Sequence, residues 1–453
     1  MSPESTATRY AELLLRSLGV VRPAAITAPG EHPAIAWARS GLMWLTGPAD
    51  GPPQMCPAPL AACAEGALAA LWAVAGSQPA LAPGAASLLG ERAAAAGLSR
   101  RGTISAGRGC RLLPTADGWI AASLVREDDW LLVPAWLEES PGAWNWARLV
   151  TTVQCRRTEA LVERARLLGL AVTPMNAPAS STPSWLRLEH GRSWEGDSRS
   201  QGRAPVVIDL TALWAGPLCA HLLQLCGAHV IKVESRQRPD GARRGPGVFF
   251  NLLNAGKASV ALDFDSTRDR DALRRLCASA DIVLEASRPR ALRQLGLQAE
   301  ALIDENPRLT WVSLTGYGRA EPQAAWVAYG DDAGVAGGLS ALLHEVSGTP
   351  LFCGDAIADP LTGLHAAVAA LQSQRSGGGR LVSLTLRDVV AHCVGFETPR
   401  DGRALRRRRD EWLALLEARG IVPDPPRARV PIDRAAALGA DNTAVLGRVS
   451  ADL

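Results

Sequence analysis

The stretch "CGDAIADPLTGLHAAVAAL" (353–371) sets two carboxylates, Asp355 and Asp359, directly before a long apolar run. Asp359 is followed by Pro360, and proline favours the first helical turn, where its missing N–H would be unpaired anyway. A carboxylate there has two uses. It can cap the helix by accepting from the free amides, a contact worth about 1 kcal/mol. It also feels the positive end of the helix dipole, which favours the ionised form, and an ionised carboxylate can be an enzyme's covalent nucleophile. Asp355 is the neighbouring rival, with a loop aspartate's local hydrogen bonding as its plainer use.

Other chemistries lack their residues. A dinucleotide site needs G-x-G-x-x-G after a first strand; "TALWAGPL" (211–218) offers one glycine and then a proline, so no NAD is expected. "RSGGGR" (375–380) lacks the Lys-Ser/Thr of a phosphate loop and reads as a turn. The nine cysteines form no CxxC pair and no Cys/His cluster at ligand spacing, so no metal is expected. A net charge of +3 gives no reason to expect nucleic acid. The basic run "RALRRRRDEW" (403–412) reads as a solvated helix face, because Leu405, Trp412, Leu413 and Leu416 give it an apolar side. No run reaches the roughly 18–20 apolar residues of a membrane span, and the opening residues lack a secretory leader's basic start and apolar core. A cytoplasmic protein without a membrane partner is expected.

The elements that must position Asp359 follow from patterning. With 453 residues, 47% hydrophobic and 21% charged, the chain can build two or three domains and a large core. The interval 176–203 is rich in Ser, Pro, Gly and charge and reads as a linker. Beyond it, short apolar runs at 205–210, 229–234, 258–263, 281–285 and 308–316 read as buried strands. Helical patterns at 216–227, 267–280 and 299–305 lie between them. This alternation predicts an α/β fold, a doubly wound, mostly parallel, Rossmann-like sheet with a smaller α+β domain. Ligands of such sheets bind at the carboxyl ends of the strands. The front of the chain holds a partial repeat: 36–71 is similar to 333–371, and matching Gly66 to Gly363 sets Ala62 opposite Asp359. The first copy therefore lacks the carboxylate.

From 205 to 395 the chain resembles CoA-transferase family III, the group of formyl-CoA and carnitine CoA-transferases and α-methylacyl-CoA racemases. Six blocks carry the likeness in the family's order. They are "VIDLTALWAGPLCAHLLQLCGAHVIKVE" (207–234), "NLLNAGKASVALDFDS" (251–266), "ADIVLEASRPRALRQLGL" (280–297), "NPRLTWVSLTGYG" (306–318), "IADPLTGLHAAVAAL" (357–371) and "GGGRLVSLTLRDVV" (377–390). The resemblance implies a degenerate partial copy over 1–99, a small domain over 100–180, a linker over 181–203, the sheet domain over 204–395 and a packing tail over 396–453. In the family the small domain follows the sheet domain; here it precedes it.

The same resemblance implies a function. Acyl-CoA would donate coenzyme A to a carboxylic acid acceptor through Asp359, by way of an aspartyl anhydride and an aspartyl-CoA thioester. Trp214, Ala215 and Gly216 after the first strand, Asn254 and Lys257 before the third, and Arg288 after the fourth are the expected coenzyme A contacts. A homodimer is implied, with chains that interlock in the family. Two departures keep alternatives open: Gly334 stands where a substrate-side glutamine is common, and Gln294 replaces a nucleotide-site arginine, with Arg293 adjacent. One alternative is an α-methylacyl-CoA racemase, although Asp331 occupies its histidine's place. The other is a non-catalytic coenzyme A-binding partner subunit.

Overall fold

The computed structural model describes residues 4–20, 26–80, 82–178, 181–191 and 203–451. Ten strands lie in two sheets. β1 (Cys110–Pro114), β2 (Trp119–Ser123) and β3 (Ala171–Pro174) make a small antiparallel sheet in that order. β4 (Arg187–Gly191), β5 (Val206–Asp209), β6 (His229–Ser235), β7 (Ala258–Leu262), β8 (Ile282–Glu285), β9 (Thr310–Thr315) and β10 (Arg380–Thr385) make the large one. Its order is β4-β10-β9-β8-β5-β6-β7, with every pair parallel except β10–β4. The expected α/β fold is present, and the predicted strands fall within a few residues of the observed ones. The expected linker is only partly one: Arg187–Gly191 pairs with β10 as the edge strand. Most of the remainder, 192–202, lies outside the described residues.

Sheet order explains where a ligand can sit. The chain runs β5 to β6 to β7 on one side, then returns to place β8, β9 and β10 on the other. The direction reverses between β5 and β8, so the loops leaving their carboxyl ends diverge and open a crevice. The far edge is closed by the tail. Asp441 accepts from the Ser259 amide (2.8 Å) and Asn442 brackets Ala261 through both amide atoms (2.8 and 2.9 Å), covering the free edge of β7.

The helix Ala358–Arg375 is apolar on every side, and so it must be buried on every side. Ala215–Leu225 packs on one face and Leu60–Ala75 on another. Two glycines permit these approaches. A Cβ on Gly363 would meet the Ala215 carbonyl at 2.6 Å and the Leu218 Cβ at 3.1 Å. A Cβ on Gly66 would meet the Ala7 carbonyl at 2.5 Å and the Tyr10 Cβ at 3.0 Å. Ala7 and Tyr10 thus stand to Gly66 as Ala215 and Leu218 stand to Gly363.

The repeat is therefore structural, and it is longer than its sequence signal. The helices Pro33–Arg39 and Leu42–Leu45 correspond to Gly330–Ala336 and Leu339–Ser347. Gly41 and Gly338, both left-handed (φ 78° and 97°), precede the second helix of each pair. Thr6–Ser17 takes the part of Ala215–Leu225, a match that apolar composition alone does not reveal. The matched cysteines Cys56 and Cys353 are both buried, and Cys56 raises the pKa of the Cys353 thiol. The front copy has no sheet of its own and covers the second copy's helices.

Because both glycines face backbone that cannot retreat, Gly363→Ala and Gly66→Ala are each expected to cost about 1–3 kcal/mol. Denaturant unfolding of the full chain checks this, and an unchanged midpoint for both would refute the close-packing account.

Candidate active site

The crevice at the switch point is a cavity of about 340 Å³. Its walls come from the ends of three strands: Leu210 to Gly216 after β5, Ala286 to Arg288 after β8, and Leu314 to Gly318 from β9 onward. Trp326, Tyr329 and Arg126 complete the rim, the last contributed by the small domain. Asp359 lies in the wall. Four expected site residues, Asp359, Ala215, Gly216 and Arg288, are thus brought together although they span 145 positions of the chain.

Asp359 is not the helix cap. Ile357 holds that position without a side-chain bond, and Asp359 falls in the first turn of the helix. The Ala215 amide is near enough to favour its ionised form, and Gly330 lies against the other side, where any Cβ would strike Asp359 Oδ2 and come within 2.5 Å of the Ala356 carbonyl. The preceding turn is strained: Ala356, which has a side chain, adopts φ 43°. It is held by the Asp331 carboxylate, which accepts from the Ala356 amide at 2.9 Å, and by the Asp359 amide, which donates to the Ala356 carbonyl at 2.9 Å.

The expectation that the helix dipole keeps Asp359 ionised is corrected by burial. Desolvation raises its pKa to about 7, against the lowering by Arg92 and the Ala215 amide. Asp331 is pushed up to about 6, first by burial and then by Asp355. Asp332 is pushed up to about 8 by burial. It accepts from Ser123 of β2 (2.7 Å) and from the Tyr329 amide (2.9 Å), tying the small domain to the backbone beside the cavity. Asp355, read from sequence as a loop aspartate, is fully buried and paired bidentately with Arg92.

The other expected contacts are placed differently. Arg288 is exposed on the cavity wall, at the start of the short helix Pro289–Gln294. Trp214 is buried behind the wall, edge-on to Phe249 at 5.3 Å. Asn254 and Lys257 are buried and do not line the cavity. Lys257 Nζ donates to Asp209 Oδ2 (3.0 Å), the Pro217 carbonyl (3.0 Å) and Asn254 Oδ1 (3.1 Å). Beside it, Lys232 donates to the Thr211 carbonyl (2.8 Å) and pairs with Asp240 (3.0 Å), which accepts from the Leu213 amide (2.9 Å). This buried network fixes the 210–216 loop, including Leu213 at φ 70°. A local reading sees a lysine in a loop and expects a solvated cation; here the sheet buries it. Arg243, after β6, is paired with Glu234 at 2.6 Å.

Sequence reading missed Arg92, Arg126 and Trp326. Trp326, on the cavity rim, lies under the Arg166 guanidinium, which is 3.6 Å from its ring centroid. One signal was available: Glu91-Arg92 is the sole charged pair in "AASLLGERAAAA" (85–96). Among the described residues, no group of three or more His, Cys, Asp or Glu is placed to hold a metal ion, and no helix is long and apolar enough to cross a membrane.

Residues 205–411 match CoA-transferase family III. Formyl-CoA:oxalate CoA-transferases of Escherichia coli O6:H1 and Shigella boydii serotype 18 are each 30% identical over 195 residues, covering 41% of this chain and 47% of theirs. The chain thus spans about half the length of the curated relatives it matches. A crystal structure of the hypothetical protein Rv3272 from Mycobacterium tuberculosis is 30% identical, covering 42% of this chain and 57% of that one, with a TM-score of 0.38. A CAIB/BAIF family protein from Brucella suis is 23% identical, covering 54% and 98%, with a TM-score of 0.43.

The raised Asp359 pKa makes a signed prediction. A carboxyl with a folded pKa near 7 and an unfolded value near 4 carries no penalty at low pH and an increasing one as it ionises in the fold. Stability is therefore lost as pH rises through that window, and Asp359→Asn escapes the loss. Measured by denaturant unfolding, the stability of Asp359→Asn relative to wild type is expected to rise by about 2 kcal/mol between pH 5 and pH 8; a flat difference contradicts the buried-carboxyl account.

Proposed function

We propose that this chain moves coenzyme A from an acyl-CoA to a carboxylic acid acceptor, with Asp359 as the covalent nucleophile. One observation carries the reading: the Asp359 carboxylate lies in the wall of the switch-point cavity, beside Ala215 and Gly216 and inside the segment that matches the family.

A carboxylate oxygen of Asp359 attacks the thioester carbonyl; the C–S bond breaks, coenzyme A leaves as thiolate, and a mixed anhydride remains. The thiolate then attacks the Asp359 acyl carbon, releasing the first acid as its carboxylate and leaving an aspartyl-CoA thioester. The acceptor carboxylate attacks that thioester and expels the thiolate again. Attack of the thiolate on the acceptor's carbonyl carbon gives the new acyl-CoA and returns Asp359 as carboxylate. Each step divides one high barrier into lower ones. The Ala215 amide and the opening turn of the helix steady the negative charge that develops beside Asp359. Arg288 and Arg126 supply cationic partners for phosphate or acceptor carboxylate, with the Ala215–Gly216 backbone alongside.

Racemisation at this site needs two bases on opposite faces of the carbanion. Among the described lining residues, Asp359 is the single carboxylate and none is a histidine. Asp331, in the place of the racemase histidine, is held by Ala356 instead. Transfer is therefore the better reading.

Incubation with a panel of acyl-CoA donors, followed by hydroxylamine trapping and mass spectrometry, tests it. A modified 353–371 peptide is expected with at least one donor. Asp359→Ala is expected to lower turnover by at least about a thousandfold, the scale of losing a covalent nucleophile. An unmodified peptide with every donor, together with undiminished turnover by Asp359→Ala, would overturn the proposal.

A further inference from the structure

The front copy lacks a carboxylate opposite Asp359, since Ala62 holds that place, yet it reaches the site with a different group. Its last helix, Ala85–Ala96, carries Arg92 to the turn that precedes Asp359. Arg92 Nε donates to Asp355 Oδ2 at 2.9 Å, and Nη2 donates to Oδ1. The guanidinium lies 5.7 Å from the Trp214 ring centroid, behind the first-strand loop, and within 3.3 Å of where a Cβ on Gly107 would be. Its neighbour Glu91 is taken by Arg429 of the tail (Nη2 to Oε2, 3.0 Å), so Arg92 faces the carboxylates alone.

Three of those carboxylates are close enough to feel it. Asp355 is paired with it, while Asp331 and Asp359 are both favoured in their ionised forms by its charge. The helix Gly330–Ala336 contributes Asp331 and, one residue on, the buried Asp332; the 353–359 turn contributes Asp355 and Asp359; the helix Ala215–Leu225 contributes the Ala215 amide. Among the largest influences on Asp359, Arg92 is the cation. It does not line the cavity, so it acts through other residues rather than on substrate.

Accepting Asp359 as the nucleophile, we propose that Arg92 of the front copy is a positioning residue for its reaction, pinning the strained 353–359 turn at Asp355 and supplying the positive charge beside Asp359. The front copy is then more than a cover for apolar helices, because the second copy's site is incomplete without it.

Two substitutions with opposite electrostatic signs separate this role from a structural one. Arg92→Gln removes the cation and is expected to move the acid limb of the single-turnover acylation rate upward by about one pH unit, slowing acylation near pH 7 by about fivefold. Asp355→Asn removes a negative charge but keeps Arg92, and is expected to move the limb downward. Arg92→Lys should restore most of the wild-type position. Coenzyme A affinity should stay within about twofold of wild type in all three. Carbon-13 NMR titration of the aspartate carboxyls, with Asp359 assigned through Asp359→Asn, reads the same shifts in resting protein without any reaction. If the titration shifts but the 353–371 peptide is never acylated, Arg92 acts on Asp359 as proposed and the nucleophile reading alone fails. If acylation occurs and neither folded variant moves the limb or the titration, the Arg92 proposal is overturned. Should Arg92→Gln not fold, Asp355→Asn decides: an upward or absent shift refutes it.

Discussion

Everything at this site depends on one close approach, the 215–225 helix lying against the 358–375 helix at Gly363. The contact is possible because Gly363 has no side chain where the Ala215 carbonyl passes. It joins two loops that the chain separates by more than a hundred residues. Through it the Ala215 amide, at the end of the first parallel strand, meets the carboxylate that opens the later helix. A helix apolar on all faces has few ways to be buried, and packing it between two other helices fixes its axis and hence the direction in which its first turn points. The carboxylate is aimed by packing rather than by capping.

Two buried polar networks translate that packing into a usable cleft. The Asp209–Lys257–Lys232–Asp240 cluster fixes the 210–216 loop, and Asp209, though fully buried, is kept below its usual carboxylate pKa by the two lysines. Breaking such a pair leaves an uncompensated charge in the interior, costly on the scale of several kcal/mol. The second network surrounds the nucleophile and leans the other way. Here Asp331, Asp355 and Asp359 face one arginine, and burial outweighs the attraction at Asp331 and Asp359. A carboxylate whose pKa is raised by burial is more basic and less tightly solvated, and so a stronger nucleophile when ionised, than one in water.

The front copy shows how a repeat can lose its chemistry and keep its shape. Gly66, Gly41 and Cys56 retain the places of Gly363, Gly338 and Cys353, because each serves an approach or a turn that both copies need. Ala62 stands where Asp359 does, and among the described residues of the front copy there is no strand to form a crevice. What the front copy adds is burial for the 358–375 helix and a cation for the neighbouring turn.

The sequence by itself determined the local elements and the candidate nucleophile. Strand periods at 205–210, 229–234 and 281–285, the glycine and proline punctuation around 216–227, and the carboxylate ahead of Pro360 are short-range signals, set by backbone propensity and by which side chains tolerate burial. Ala215, Gly216 and Arg288 were pointed to by the family resemblance rather than by local pattern, and the fold sets all three on the cavity wall. Tertiary structure alone decided the rest. It buried Lys257 and Asn254 under the first-strand loop and put the edge strand Arg187–Gly191 inside an apparent linker. It also brought Arg92 to Asp355 across 263 positions. Whether a charged residue meets solvent, substrate or a buried partner depends on distances between elements far apart in the chain, and periodicity along one element contains no information about those distances.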